Sequence, residues 1–203
     1  MSGRHPFPAV AEPSLARALA ESAERHPHGL CPRQVLGARI GFHGAALLDI
    51  PLPLREKELL VIAETDGCFL DGLIAATGAA PGRRTLRIED HGKVAATLVA
   101  TATNRAVRLV PARDSRQRAL AYAPDAPSRR AAQILAYQIM PAAELLTWRE
   151  VRLSPPLEVL LGVHRARVHC AGCGEEVING RERIAAGRRL CRACAGDSYY
   201  VSS

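Results

Sequence analysis

The hydrophobic pattern of the first half of the chain alternates between helical and extended periods. In PSLARALAESAERH, Leu15, Leu19 and Ala23 fall at i, i+4 and i+8, which predicts an amphipathic helix. CPRQVLGARIGFHGAALLD predicts a second helix, with Pro32 at the favoured first position after Cys31. Its Gly37, Gly41 and Gly44 lower helix propensity, a cost that makes sense where another backbone or a twin helix packs close. ELLVIAE has the β-branched pair Val61 and Ile62 of a buried strand. TDGCFLDGLIAATG then turns into a helix that stops at Gly78.

RTLRIED, VAATLVAT and AVRLVP follow, separated by HGK and ATNR, and predict a three-stranded meander. SRRAAQILAYQI predicts a helix, Pro141 opens a short one in PAAELLTW, and REVRLS alternates like an edge strand. The order α-α-β-α-β-β-β-α-α-β implies one α+β domain with a mixed sheet of about five strands. Pro155-Pro156 marks its end. The expected organisation is an N-terminal arm over 1–13, a core domain over 14–155, a connector over 156–167 and a cysteine module over 168–203.

Composition changes this picture little. Apolar residues make up 48% and charged residues 23%, ordinary globular values, while aromatics at 4% leave a core of Ala, Leu, Val and Ile. No apolar run approaches the roughly 18 residues of a membrane span. The start, MSGRHPFPAVAEPS, lacks the apolar region of a signal peptide, so a cytoplasmic protein without membrane contact is expected. The net charge is +7, and Lys57 and Lys93 are the two lysines, so 25 of the 27 basic residues are Arg. Such basicity invites nucleic acid. Four thiolates on a dipositive ion would offset part of it, which makes nucleic acid the weaker reading.

The chemistry lies in the cysteines. Cys170-x2-Cys173, seventeen intervening residues and Cys191-x2-Cys194 have the spacing of a four-cysteine zinc ribbon, one structural Zn2+ per chain. Gly172 and Gly174 bracket Cys173 and let the backbone curl around the ion. Between the pairs, EEVINGRERIAAGRRL predicts a hairpin with turns near Asn179-Gly180 and Gly187. So small a module lacks a sufficient core, and metal binding supplies the folding energy. His164 and His169 stand nearby as less favoured substitutes for a thiol. No aromatic residue lies between the pairs to stack on bases; Tyr199 and Tyr200 come after them.

Cys31 and Cys68 each precede a predicted helix, where free N–H groups favour a thiolate. His26 and His28 flank the first, and Glu64, Asp66 and Asp71 flank the second. If the two helices start at one edge of the sheet, these groups converge on a site for a metal or a redox pair. Two buried cysteines acting as small hydrophobes are the plainer alternative.

HPHGLCPRQVLGARIG, ETDGCFLDGLIAATG, GRRTLRIEDHGKVAATLV and the terminal CAGCGEEVI…LCRACAG together resemble the formylmethanofuran dehydrogenase FmdE family, in order, from about residue 22 to 200. The resemblance implies a thioredoxin-like α+β core, a homodimer, a C-terminal zinc finger and a polar pocket built from His-x-Cys-Pro and Asp-x-Cys motifs. Cys31-Pro32 and Asp66-Gly67-Cys68 match those motifs. His28 stands three positions before Cys31 rather than two, Arg33 replaces a frequent Gly, and His91 replaces Tyr in Asp-Tyr-Gly-Lys, whose lysine is Lys93. The implied pocket therefore comprises Cys31, Cys68, His28, Asp66 and Lys93, holding a second metal or a cofactor.

Two cysteines are too few for an iron–sulfur cluster within one chain, so an accessory or stand-alone relative is expected rather than the catalytic component. It would bind a metal or metal-containing cofactor and serve a molybdenum or tungsten enzyme as partner. A thiol-dependent enzyme using Cys31 and Cys68, with His28 as base, and a nucleic-acid-binding regulator acting through the ribbon are the alternatives.

Overall fold

A computed structural model describes residues 13–54, 56–162 and 165–201. The chain divides into two compact units, 1–152 and 153–203. The expected N-terminal arm lies outside the described residues up to position 12, and Pro13 already opens the first helix.

In the first unit the elements are α1 (Pro13–Glu24), α2 (Pro32–Leu47), β1 (Leu59–Ala63), α3 (Cys68–Thr77), β2 (Leu86–Ile88), β3 (Ala96–Ala100), β4 (Ala106–Pro111), α4 (Ser115–Tyr122), α5 (Arg129–Ile139), α6 (Ala142–Leu145) and β5 (Leu146–Glu150). The five strands form one mixed sheet in the order β2-β1-β3-β4-β5. β1 runs parallel to β2 and antiparallel to β3, with Val61 opposite Leu86 on one side and Leu98 on the other. Every residue of β1 and β3 is buried, which is why both read as continuous apolar runs.

Three expectations are corrected. The predicted meander does not form: β1 lies between β2 and β3, so β1-α3-β2 is a parallel crossover and only β3-β4 is a hairpin. Three strand-like runs in succession conceal this, because pairing is decided by where α3 returns the chain. PAAELLTW is helical only to Leu145; Leu146 turns extended, and the edge strand is Leu146–Glu150 rather than REVRLS. Helix α4 is an addition to the expected elements, since only Ser115 and Ala119 of it are buried and its sequence shows little amphipathic period.

The glycines of α2 position the core. A Cβ on Gly37 would lie 2.1 Å from the carbonyl oxygen of Phe69, and one on Gly72 would lie 1.9 Å from that of Gln34. Helices α2 and α3 therefore touch backbone to backbone, the close approach that the glycine spacing implies. Gly44 meets Leu98 and Leu109, seating the far end of α2 on the sheet. Helix α3 ends where expected, with Gly78 in the left-handed region at φ 72° and its N–H donating to the carbonyl of Ile74. The Arg39 guanidinium donates to the carbonyls of Tyr137, Gln138 and Met140, which ties α2 to the carbonyl end of α5.

The second unit carries a short helix, α7 (Leu157–Leu161), and four strands of three residues: β6 (Arg167–His169), β7 (Glu176–Ile178), β8 (Arg183–Ala185) and β9 (Arg188–Leu190). They pair as two antiparallel ribbons, β6-β7 and β8-β9. The single expected hairpin is thus two: Asn179-Gly180 links the ribbons, and Ala186-Gly187 turns the second. Among its described residues only Leu157 and Cys170 are buried. No helix among the described residues is long and apolar enough to cross a membrane.

Candidate functional site

The first candidate centre sits where helices begin. Cys31 caps α2 and Cys68 is the first residue of α3, so the Gly37–Gly72 contact that clamps the helices also brings their starts together. The two sulfurs lie 2.8 Å apart, as free thiols and not as a disulfide. This is far beyond the roughly 2.05 Å of an S–S bond. Buried Gln34 fixes the cap: its Oε1 accepts from the Cys31 N–H at 2.7 Å, and its Nε2 donates to the Ser22 carbonyl at 2.8 Å. Burial, and then the adjoining Cys31 thiol, push Cys68 up to about 12, against a smaller opposing pull from Arg33. This sulfur keeps its proton at neutral pH; a metal that replaces the proton removes that penalty.

The pair opens into a cleft of about 580 Å³. Arg33, Arg113, Arg116 and Arg130 stand on its walls, with Gln133 and Tyr137, and no carboxylate among the described residues lines it. Two of the acids near Cys68 in sequence, Glu64 and Asp71, are engaged elsewhere. Glu64 forms a two-point ion pair with Arg108, whose Nη2 lies 2.7 Å from Oε2, and this hydrogen bond holds its carboxyl below the usual range. Asp71 lies 3.1 Å from His26 Nε2, a contact that joins the two motif segments. The structure therefore unites the sulfurs but not the carboxylates with them. His28, Asp66 and Lys93 are all exposed, and none lines the cleft. Four arginines, not assigned to the site from the sequence, line it instead; they come from three separate segments, and of them only Arg33 adjoins a motif.

The second centre is Cys170, Cys173, Cys191 and Cys194, whose sulfurs all lie within 4.8 Å of one another. Cys173 and Cys191 are 3.9 Å apart, close to the roughly 3.8 Å edge of a tetrahedron with 2.3 Å metal–sulfur bonds. Backbone N–H groups of Gly172 and Cys191 donate to Cys170 at 3.3 and 3.2 Å, and the N–H of Cys194 donates to Cys191 at 3.4 Å. Backbone N–H groups, that of Cys191 foremost and then those of Cys173 and Gly172, lower Cys170 to about 6, while its sulfur neighbours push Cys194 up to about 12. A Cβ on Gly172 would meet the Cys194 sulfur at 2.9 Å, so that glycine makes room for the cluster. This donor set can hold a metal ion. His169 ends β6 and is not part of the cluster, and His164 lies outside the described residues.

A buried-strand α+β domain with a thiol pair at its helix starts, followed in the same chain by a four-cysteine metal-binding cluster, defines the class. Comparison with known proteins makes it specific: residues 26–153 match the family model described as FmdE, Molybdenum formylmethanofuran dehydrogenase operon, and the chain belongs to that family. The crystal structure of a tungsten formylmethanofuran dehydrogenase FmdE-like protein from Syntrophus aciditrophicus is similar in fold. Its TM-score is 0.57 at 20% identity, covering 90% of this chain and 92% of that one. A curated relative from Archaeoglobus fulgidus, "Probable S-adenosyl-L-methionine-binding protein", is 32% identical over 98 residues. That match spans 47% of this chain and only 26% of the relative's length.

Proposed function

We propose that this chain is an accessory or stand-alone FmdE-family protein that binds a metal or metal-containing cofactor through Cys31 and Cys68. The observation that carries this reading is the 2.8 Å sulfur pair at the base of an open cleft. Two soft donors side by side suit a thiophilic metal, which displaces their protons and spreads the sulfurs on binding. The four-cysteine cluster takes one structural Zn2+ and folds the second unit. The family description supports a place beside a molybdenum formylmethanofuran dehydrogenase; on this reading the chain serves a molybdenum or tungsten enzyme as a cytoplasmic homodimer and handles the metal centre rather than the formyl chemistry. His28, Asp66 and Lys93 approach a ligand, on this reading, only from outside the cleft.

Metal content per chain of anaerobically purified protein tests the proposal. The expected result is two metals in the wild type and one in Cys31→Ser/Cys68→Ser. One zinc in both proteins would overturn it.

A further inference from the structure

The cleft above the thiol pair has a second property, which rests on the same site but not on any metal in it. Four helices begin on its walls. Cys31, Pro32 and Arg33 are the cap and first turn of α2, and Cys68 starts α3. Ser115 and Arg116 start α4, and Arg130 lies in the first turn of α5. Each helix start presents N–H groups without intrahelical partners and the positive end of its dipole.

To this field the cleft adds Arg33, Arg113, Arg116 and Arg130. Among the described residues none of the four is in an ion pair; Arg130 donates to the Leu30 carbonyl at 3.1 Å. Acids close in sequence are engaged elsewhere: Asp114 binds Arg118 at 2.7 Å, and Asp71 binds His26. Such a concentration of exposed positive charge, with no carboxylate among the described residues of the lining, attracts anions. Guanidinium groups match the planar two-point geometry of oxyanions.

We propose that this cleft binds a tetrahedral oxyanion group through Arg33, Arg113, Arg116 and Arg130, held beside the Cys31–Cys68 pair. The deeper reading of the candidate site is that its ligand is anionic, with its oxyanion held on the arginines independently of what the sulfurs bind. Two sources share this chemistry: the phosphate of an organic cofactor, and a free metal oxoanion. A volume of about 580 Å³ accommodates either.

The test is calorimetric titration of the zinc-loaded, anaerobic full chain with pyrophosphate, inorganic phosphate and molybdate at low salt. Wild type should bind at least one of them, and Arg113→Gln/Arg116→Gln should bind it at least about ten-fold more weakly. Both arginines are exposed, so the variant should retain its fold, checked by circular dichroism. Tighter binding of pyrophosphate or phosphate than molybdate assigns the site to a phosphorylated molecule; the reverse assigns it to a metal oxoanion. Cys31→Ser/Cys68→Ser should bind the anion within about two-fold of wild type, whether or not it retains a second metal, which separates this inference from the metal reading. Absence of binding, equal affinity in the arginine variant, or loss of binding in the cysteine variant alone would overturn it.

Discussion

The two cysteine centres of this chain solve opposite problems. In the second unit the strands are three residues long and only Leu157 and Cys170 of the described residues are buried, so the cysteines must hold the fold. In the first unit two helices clamp through Gly37 and Gly72 beside a sheet whose strands β1 and β3 are fully buried, so the fold holds the cysteines. The difference teaches how to read a thiol: by what would remain of its surroundings without it. Remove the four-cysteine cluster and little packing is left. Remove Cys31 and Cys68 and the helices, sheet and cleft all stand.

The largest expected effect breaks the comparison at the four-cysteine site. Cys191→Ser should forfeit most of the folding energy that a metal supplies to such a module, roughly 10–16 kcal/mol in related small domains. Hydrogen exchange should show β6 to β9 losing protection while β1 and β3 keep theirs. Loss of protection in both units would mean that the cysteines of the second unit also hold the first.

A smaller effect comes from the clamp. Gly72→Ala drives a methyl group into the Gln34 carbonyl, so α2 and α3 must part, at a cost of about 3 kcal/mol. Thermal unfolding should record the loss, and bismuth or mercury titration should show weaker capture by the separated sulfurs. An unchanged melting temperature would contradict the clamp.

The Glu64–Arg108 pair offers a sharper test by pH. Its guanidinium holds the Glu64 carboxyl below the ordinary value, so its contribution to stability is complete above the unfolded value of about 4.3 and is lost as pH falls through the depressed one. Glu64→Gln should cost about 2 kcal/mol near pH 7, with the gap to wild type closing in acid. Denaturant unfolding at pH 7, 5 and 3 measures it; a gap independent of pH would show that this carboxylate is not held as described.

The smallest effects belong to the residues that the family motifs single out beyond the sulfurs. His28→Ala and Lys93→Ala alter exposed side chains outside the cleft lining and should shift stability by less than about 0.5 kcal/mol. Their metal content should equal that of the wild type. A metal lost in either variant would bring that side chain into the site.

Much of this was legible in the residues. Helices α1, α2, α3 and α5 follow from apolar spacing, Pro32 and Gly78, and the glycines of α2 announced a close neighbour, which proves to be α3. The C-x-x-C pairs announced the four-sulfur cluster through spacing alone. What stayed hidden depends on pairing across the fold. RTLRIED looks like one arm of a meander because sequence does not show that α3 returns it to the far side of β1. The SRQRALAY helix hides behind its arginines. The cationic wall hides for the same reason: Arg33, Arg113, Arg116 and Arg130 are four of 25 arginines, and only the convergence of helix starts sets them apart.

The most direct measurement is a cobalt(II) titration of metal-stripped, anaerobic protein, followed through its thiolate absorption bands, in wild type and Cys31→Ser/Cys68→Ser. The account expects two phases in the wild type: a tight one with the intense visible bands of a tetrahedral four-thiolate site, retained in the variant, and a second one lost from it. A single phase, identical in both proteins, would contradict the assignment of a metal to the core pair.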